Sequence, residues 1–107
     1  MGLEVTLGRT EGGWTVVRAA GEVDMATAGR LGAAVHEHAG AGPVLVDLAG
    51  LTFMDSTGVR TVHGMIAAAQ QDGWTLRFSP ALRDNVRQVL WMTGMLDAMP
   101  FQDAPPP

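Results

Sequence analysis

Along "LEVTL" (3–7) apolar and polar residues alternate, the period-two pattern of a strand with one face buried. "EGG" (11–13) supplies a turn, and "WTVVRAAGEVD" (14–24) reads as the hairpin partner, bent at Gly21. The period then changes. From Met25 to Ala39 apolar residues fall at Ala28, Leu31, Val35 and Ala39, steps of three and four that share one helical face, with Asp24 or Thr27 as the cap. "GAGP" (40–43) ends that helix, and "VLVDL" (44–48) is so continuously apolar that it predicts a central strand covered on both sides.

A second helix follows, carrying Val59, Val62, Ile66 and Ala69 on one face and running to about Asp72, where Gly73 stops it. "WTLRF" (74–78) alternates as a strand. Ser79 and Pro80 predict an N-cap and first-turn proline for a third helix with Leu82, Val86, Val89 and Leu90 on its apolar face, closed by Gly94. "LDAMPF" (96–101) predicts a short edge strand, and "APPP" (104–107) a disordered proline tail. The order of elements predicts an α/β fold: one domain over residues 1–103, with a mixed central β-sheet and the helices packed mainly on one side.

Composition narrows the function classes. The chain of 107 residues suits one domain, and 47% hydrophobic with 17% charged residues is a globular balance rather than a disordered one. It has no cysteine, which excludes disulfides and thiolate chemistry. The net charge is −4, and all seven basic residues are arginines scattered at 9, 18, 30, 60, 77, 83 and 87. Without a basic stripe, direct nucleic-acid binding is not expected. No apolar run approaches the ~20 residues of a membrane span, and the acidic start Met1-Gly2-Leu3-Glu4 does not resemble a secretory leader. The expected location is the cytoplasm.

The chemistry concentrates in "LTFMDSTGVR" (51–60), where Asp55, Ser56, Thr57 and Gly58 stand at the change from strand to helix. One capping side chain would suffice there; three are present. Amide hydrogens from about Thr57 to Val59 are expected to point toward Ser56, and the helix dipole favours an anion at that place. Gly58 would admit a partner's backbone, and Arg60 would add a second donor, so the stretch suits a phosphoserine. A plain helix cap at Asp55 or Ser56, with Gly58 relieving crowding, is an equal alternative from these residues alone.

Enzyme readings fit less well. A nucleophilic Ser56 would take His63 as base and Asp24 as orienter, but His63 lies two turns along the same helix, roughly 10 Å away, and no Gly-x-Ser-x-Gly elbow is present. An aspartic-protease motif lacks the extra residue that separates Asp55 from Gly58 here. His36 and His38 point about 200° apart on their helix and cannot share a metal. A phosphate-binding loop of the Gly-Lys-Ser/Thr type is excluded by the absence of lysine. The seven methionines read as core filling more readily than as a contact surface near Met54, Met92 and Met95.

Three segments together resemble a known family. "VLVDLAGLTFMDSTGVRTVHGM" (44–65) is similar to the signature of STAS domains, above all the stand-alone bacterial anti-sigma factor antagonists. "AAGEVDMATAGRL" (19–31) resembles their Gly-Glu-Leu-Asp segment with Val23 for leucine. "LRFSPALRDNVRQVLWMTGMLDAMPF" (76–101) resembles their final helix and its Gly-Leu ending with Met95 for leucine. The resemblance implies a partner-switching regulator that is not itself an enzyme and needs no cofactor. Such a protein, unphosphorylated, binds an anti-sigma factor with serine kinase activity and so frees the sigma factor. Phosphorylation of the serine after the aspartate, here Ser56, releases it, and a metal-dependent serine phosphatase restores it. By the same resemblance Asp24, Asp55, Thr57, Gly58 and Arg60 are the expected partner and kinase contacts, although Asp24 serves equally as a helix cap. Arg60 departs from the small residue expected at its position. The free protein is expected to be a monomer or weak dimer.

Overall fold

A computed structural model describes residues 2–103. The predicted proline tail, 104–107, lies outside the described residues. Eight elements follow in order: β1 (Leu3–Arg9), β2 (Thr15–Val23), α1 (Ala28–His38), β3 (Val44–Met54), α2 (Ser56–Asp72), β4 (Leu76–Phe78), α3 (Asp84–Met92) and α4 (Met95–Ala98). The strands form one sheet in the order β1-β2-β3-β4. β1 and β2 pair antiparallel, as the hairpin reading requires, whereas β2–β3 and β3–β4 are parallel and linked through helices. The mixed sheet expected from the sequence is therefore the one found.

One face of the sheet carries the main core. Val17, Ala19 and Val23 of β2, Val44, Val46 and Leu48 of β3 and Phe78 of β4 meet Leu31 and Val35 of α1, Val62, Met65 and Ile66 of α2, Val86 and Leu90 of α3 and Met95 of α4. All four helices thus cover the same side, α1, α2 and α3 through the apolar stripe that a spacing of three and four creates and the short α4 through Met95. Among the described residues the other side holds a small cluster of Trp14, Val16 and Leu45, with Arg18 paired to Asp47 at 3.6 Å. So "VLVDL" is buried on both faces, but unequally.

β3 is longer than its apolar run suggested, reaching Met54. Its register with β2 shifts twice, between the pairs Arg18↔Asp47 and Ala20↔Gly50, and again between Gly21↔Leu51 and Glu22↔Phe53. Each shift inserts one extra residue into β3, and each flips the side-chain parity. The inward positions accordingly run Val44, Val46, Leu48, then Leu51, then Met54. Gly21 is where β2 bends: its φ is +111°, and a Cβ there would collide with the Gly2 carbonyl.

Residues 24–27 form a turn and α1 begins at Ala28, with Thr27, one of the two expected caps, at the N-cap position. Two local expectations need correction. α3 begins at Asp84 rather than at Pro80, because the Ser79 amide donates to the Val46 carbonyl at 3.0 Å and keeps the chain beside β3. Ser79 is consequently no helix cap. Within the expected edge strand 96–101, Met95–Ala98 instead make a helical turn after Gly94. Only the end of that segment is strand-like: Phe101 bridges Phe78, whose amide donates to the Pro100 carbonyl at 2.8 Å. α2 ends as expected at Gly73, with φ +76°.

Candidate functional site

The site is built where two parallel strands end together. Val23 and Met54 are register partners, and each is followed by an aspartate, Asp24 and Asp55. The Asp55 amide donates back to the Val23 carbonyl at 3.2 Å, which ties the two chain reversals to each other. Both carboxylates then do the same local job. Asp24 Oδ1 accepts from the Ala26 and Thr27 amides at 2.9 and 3.2 Å. Asp55 Oδ1 accepts from the Thr57 and Gly58 amides at 2.9 and 3.3 Å. Short polar side chains that accept backbone amides at a helix start are favoured for this reason.

The first reversal is further pinned by Thr27, which is buried. Its hydroxyl donates to the Glu22 carbonyl at 2.8 Å and accepts from the Asp24 amide at 3.0 Å. Asp24 therefore has a structural role as the cap of the turn that leads into α1. The hydrogen bonds of its carboxylate all fall on Oδ1, and the residue is half-buried.

Asp55 is the N-cap of α2, and this corrects the expectation about the helix-start amides. Those of Thr57 and Gly58 are held by the Asp55 carboxylate, and that of Val59 donates to the Asp55 carbonyl at 3.2 Å. They do not converge on Ser56. Ser56 occupies the first helical position instead, with its side chain exposed. Thr57 is half-buried, and its carbonyl accepts the Thr61 hydroxyl at 3.0 Å. Arg60 is exposed one turn along.

Gly58 is also corrected. It is buried, and a Cβ at this position would stand 2.6 Å from Met54 Cγ and 3.0 Å from Val23 Cγ1. The missing side chain lets α2 sit down on the ends of β2 and β3; it faces the core rather than a partner. Met54 is buried beneath the loop and anchors it, while its neighbour Phe53 is 44% exposed. The second register shift in β3 explains this, since it turns Phe53 out of the inward series.

Sequence reasoning missed two neighbours. Met25, which the helical spacing of Ala28, Leu31, Val35 and Ala39 left unassigned, is 85% exposed on the turn after Asp24. Asn85, at the start of α3, donates through Nδ2 to the Thr52 carbonyl at 2.8 Å, and Thr52 Oγ1 donates to the Gly21 carbonyl at 3.1 Å. These two bonds fix α3 to the end of the sheet. Nothing in local periodicity signals such long-range contacts. Exposed Met25 and Phe53 do have a signal in hindsight: large apolar residues next to a polar cluster at a strand end. Among the described residues no group of His, Asp or Glu side chains is arranged to hold a metal ion. No helix there is long and apolar enough to cross a membrane.

A four-stranded mixed sheet with its helices on one face, and a capped helix start projecting a serine at the strand ends, is a STAS-like arrangement. The family model described as "Mlab, STAS domain" matches residues 8–100, and the chain belongs to the STAS domain family. No curated protein gives a significant match. Among solved structures, an anti-sigma factor antagonist from Mycobacterium paratuberculosis is similar at 20% identity, with a TM-score of 0.76 over 95% of this chain and 86% of that one. The unphosphorylated anti-sigma factor antagonist SpoIIAA, from Bacillus, is similar at 21% identity, with a TM-score of 0.68 over 95% and 90% of the two chains. A murine anion transporter of the solute carrier 26 family is similar at 10% identity, with a TM-score of 0.65, over 94% of this chain but 20% of its own. At these identities the likeness is one of fold.

Proposed function

We propose that this protein is an anti-sigma factor antagonist in a partner-switching pathway. Unphosphorylated, it binds an anti-sigma factor that is also a serine kinase, and the sigma factor is set free. The kinase then transfers the γ-phosphoryl group of ATP to Ser56. The bond from Ser56 Oγ to the γ-phosphorus forms, the bond to the bridging oxygen breaks, ADP departs, and the hydroxyl proton passes to a base of the kinase. A metal-dependent serine phosphatase hydrolyses the ester and restores the binding form. In this cycle the chain acts as substrate and binder, not as catalyst, and works in the cytoplasm.

The observation that carries this reading is the placement of Ser56. Its side chain is exposed at the first helical position, just past a cap that Asp55 already completes. The hydroxyl is thus presented outward without a structural duty. Exposed Met25 and Phe53 lie at the same end of the sheet and supply apolar contact area. A phosphate adds about −1.5 to −2 charges, beside Asp24 and Asp55. An interface shaped for a hydroxyl would meet that charge with repulsion and desolvation cost. Asp24, Asp55, Thr57 and Arg60 are the polar contacts we assign to the partner; Gly58 supports the site from inside.

The test is to incubate the protein with ATP and each anti-sigma-type serine kinase of its source cell, then map phosphate by mass spectrometry. The reading expects one kinase to modify Ser56 stoichiometrically. One observation favours a second reading, a STAS interaction or ligand-binding module that works without phosphorylation. The Thr57 and Gly58 amides, which an anion on Ser56 would use, are already taken by Asp55 Oδ1. That reading expects no phosphate on Ser56 from any of those kinases.

A further inference from the structure

The occupied helix start raises a question of where a phosphate on Ser56 would find donors. The amides of Thr57, Gly58 and Val59 all have partners on Asp55, and the residue before Ser56, Asp55, and Asp24 after the paired strand end are both acidic. A cation within reach would favour a modified side chain that lies along its own helix. Arg60 has the right spacing. Ser56 and Arg60 are both helical residues of α2, four apart, and residues so spaced are neighbours on a helix surface, with Cβ atoms about 5–6 Å apart. Arg60 is exposed, and among the described residues it forms no ion pair. Its guanidinium is thus free to swing toward the helix start, and its planar fork matches two phosphate oxygens.

We propose that Arg60 is the receptor of phosphoserine 56, captured by an intramolecular phosphate–guanidinium pair along α2. The inference rests on the assignment of Ser56 as the modified residue, and it changes how release works. In the unmodified protein Arg60 is a free donor at the binding face. In the modified protein the same guanidinium is held by the chain's own phosphate, so a partner meets added negative charge and loses a cationic contact at once. The helix also gains: an acidic group at its first position suits the dipole, and the cation four residues later supplies the i, i+4 pairing.

The test uses the full chain with phosphoserine installed at position 56 by genetic-code expansion, so it does not depend on any kinase. Phosphorus NMR then follows the second ionisation of the phosphate, ordinarily about pH 6. Asp55 precedes Ser56, Asp24 follows the paired strand end, Arg30 lies at the start of the neighbouring α1, and His63 stands three residues beyond Arg60 on α2. All four are common to every variant, so the comparison isolates Arg60. The second pKa should be roughly half a pH unit lower in the Arg60 protein than in Arg60→Gln, because the pair favours the dianion. Arg60→Lys should retain part of that shift. Superimposable titrations of the Arg60 and Arg60→Gln proteins would overturn the capture. A failure of every kinase to modify Ser56 would instead remove the switching role and leave this titration result standing.

Discussion

The Asp55 amide donates to the Val23 carbonyl at 3.2 Å, so the ends of the two parallel strands β2 and β3 are bonded directly to each other. From that tie Asp24 and Asp55 leave the sheet together, each accepting two amides of the turn it begins. The result is a platform made of two capped turns. Ser56 is the first side chain past the second cap, presented without being needed for the cap.

Removing that cap should be felt in stability. Asp55→Ala leaves the Thr57 and Gly58 amides without their acceptor and should cost about 1 kcal/mol. For a chain of this size that corresponds to a fall in Tm of about 4–8 °C. Thermal unfolding followed by circular dichroism measures it. An unchanged Tm would mean that water serves those amides as well as the carboxylate does.

Ser56→Ala should behave differently. Because Asp55 and not Ser56 caps the helix, the change in stability should be within about 0.5 kcal/mol. The variant should still bind the kinase partner and should take up no phosphate. Urea unfolding, a binding titration and phosphopeptide mapping check the three parts. Phosphate appearing on Thr57 at the original rate would move the acceptor one residue along.

Gly58→Ala tests the inward role of that glycine. The added Cβ would meet Met54 Cγ at 2.6 Å and Val23 Cγ1 at 3.0 Å, and overpacking of this kind costs about 1–3 kcal/mol. The clashing atoms belong to buried side chains, and Met54 Cγ is not at the far end of its chain, so a loss within that range is expected. The loss should appear in urea unfolding of the isolated protein. If the isolated variant is as stable as the parent and only partner binding suffers, Gly58 serves the interface after all.

How much of this was legible in the chain follows from periodicity. α2 could be read closely because Val59, Val62, Ile66 and Ala69 keep a helical step and Gly73 ends it with a positive φ. The far half of β3 could not, because two extra residues flip the inward parity at Leu51 and again at Met54. The same shifts hid the exposure of Phe53. Ser79-Pro80 looked like a helix start, but pairing of the Ser79 amide with Val46 outweighed the local preference. At the site, the residue types showed that a capped helix start and a hydroxyl lay together. Which carboxylate held which amide depended on backbone geometry, with Asp55 at φ −105° and ψ −171°, and that is not written in residue spacing.

Charge at Ser56 is the centre of the account, and calorimetry measures it most directly. The chain with Ser56 unmodified and the chain carrying phosphoserine at 56 should be titrated into the same serine-kinase anti-sigma factor, with both forms shown to be folded by circular dichroism. The account predicts that phosphorylation weakens binding by about a hundredfold or more, about 2.8 kcal/mol, with the fold unchanged. Equal affinities for the two folded forms would contradict it.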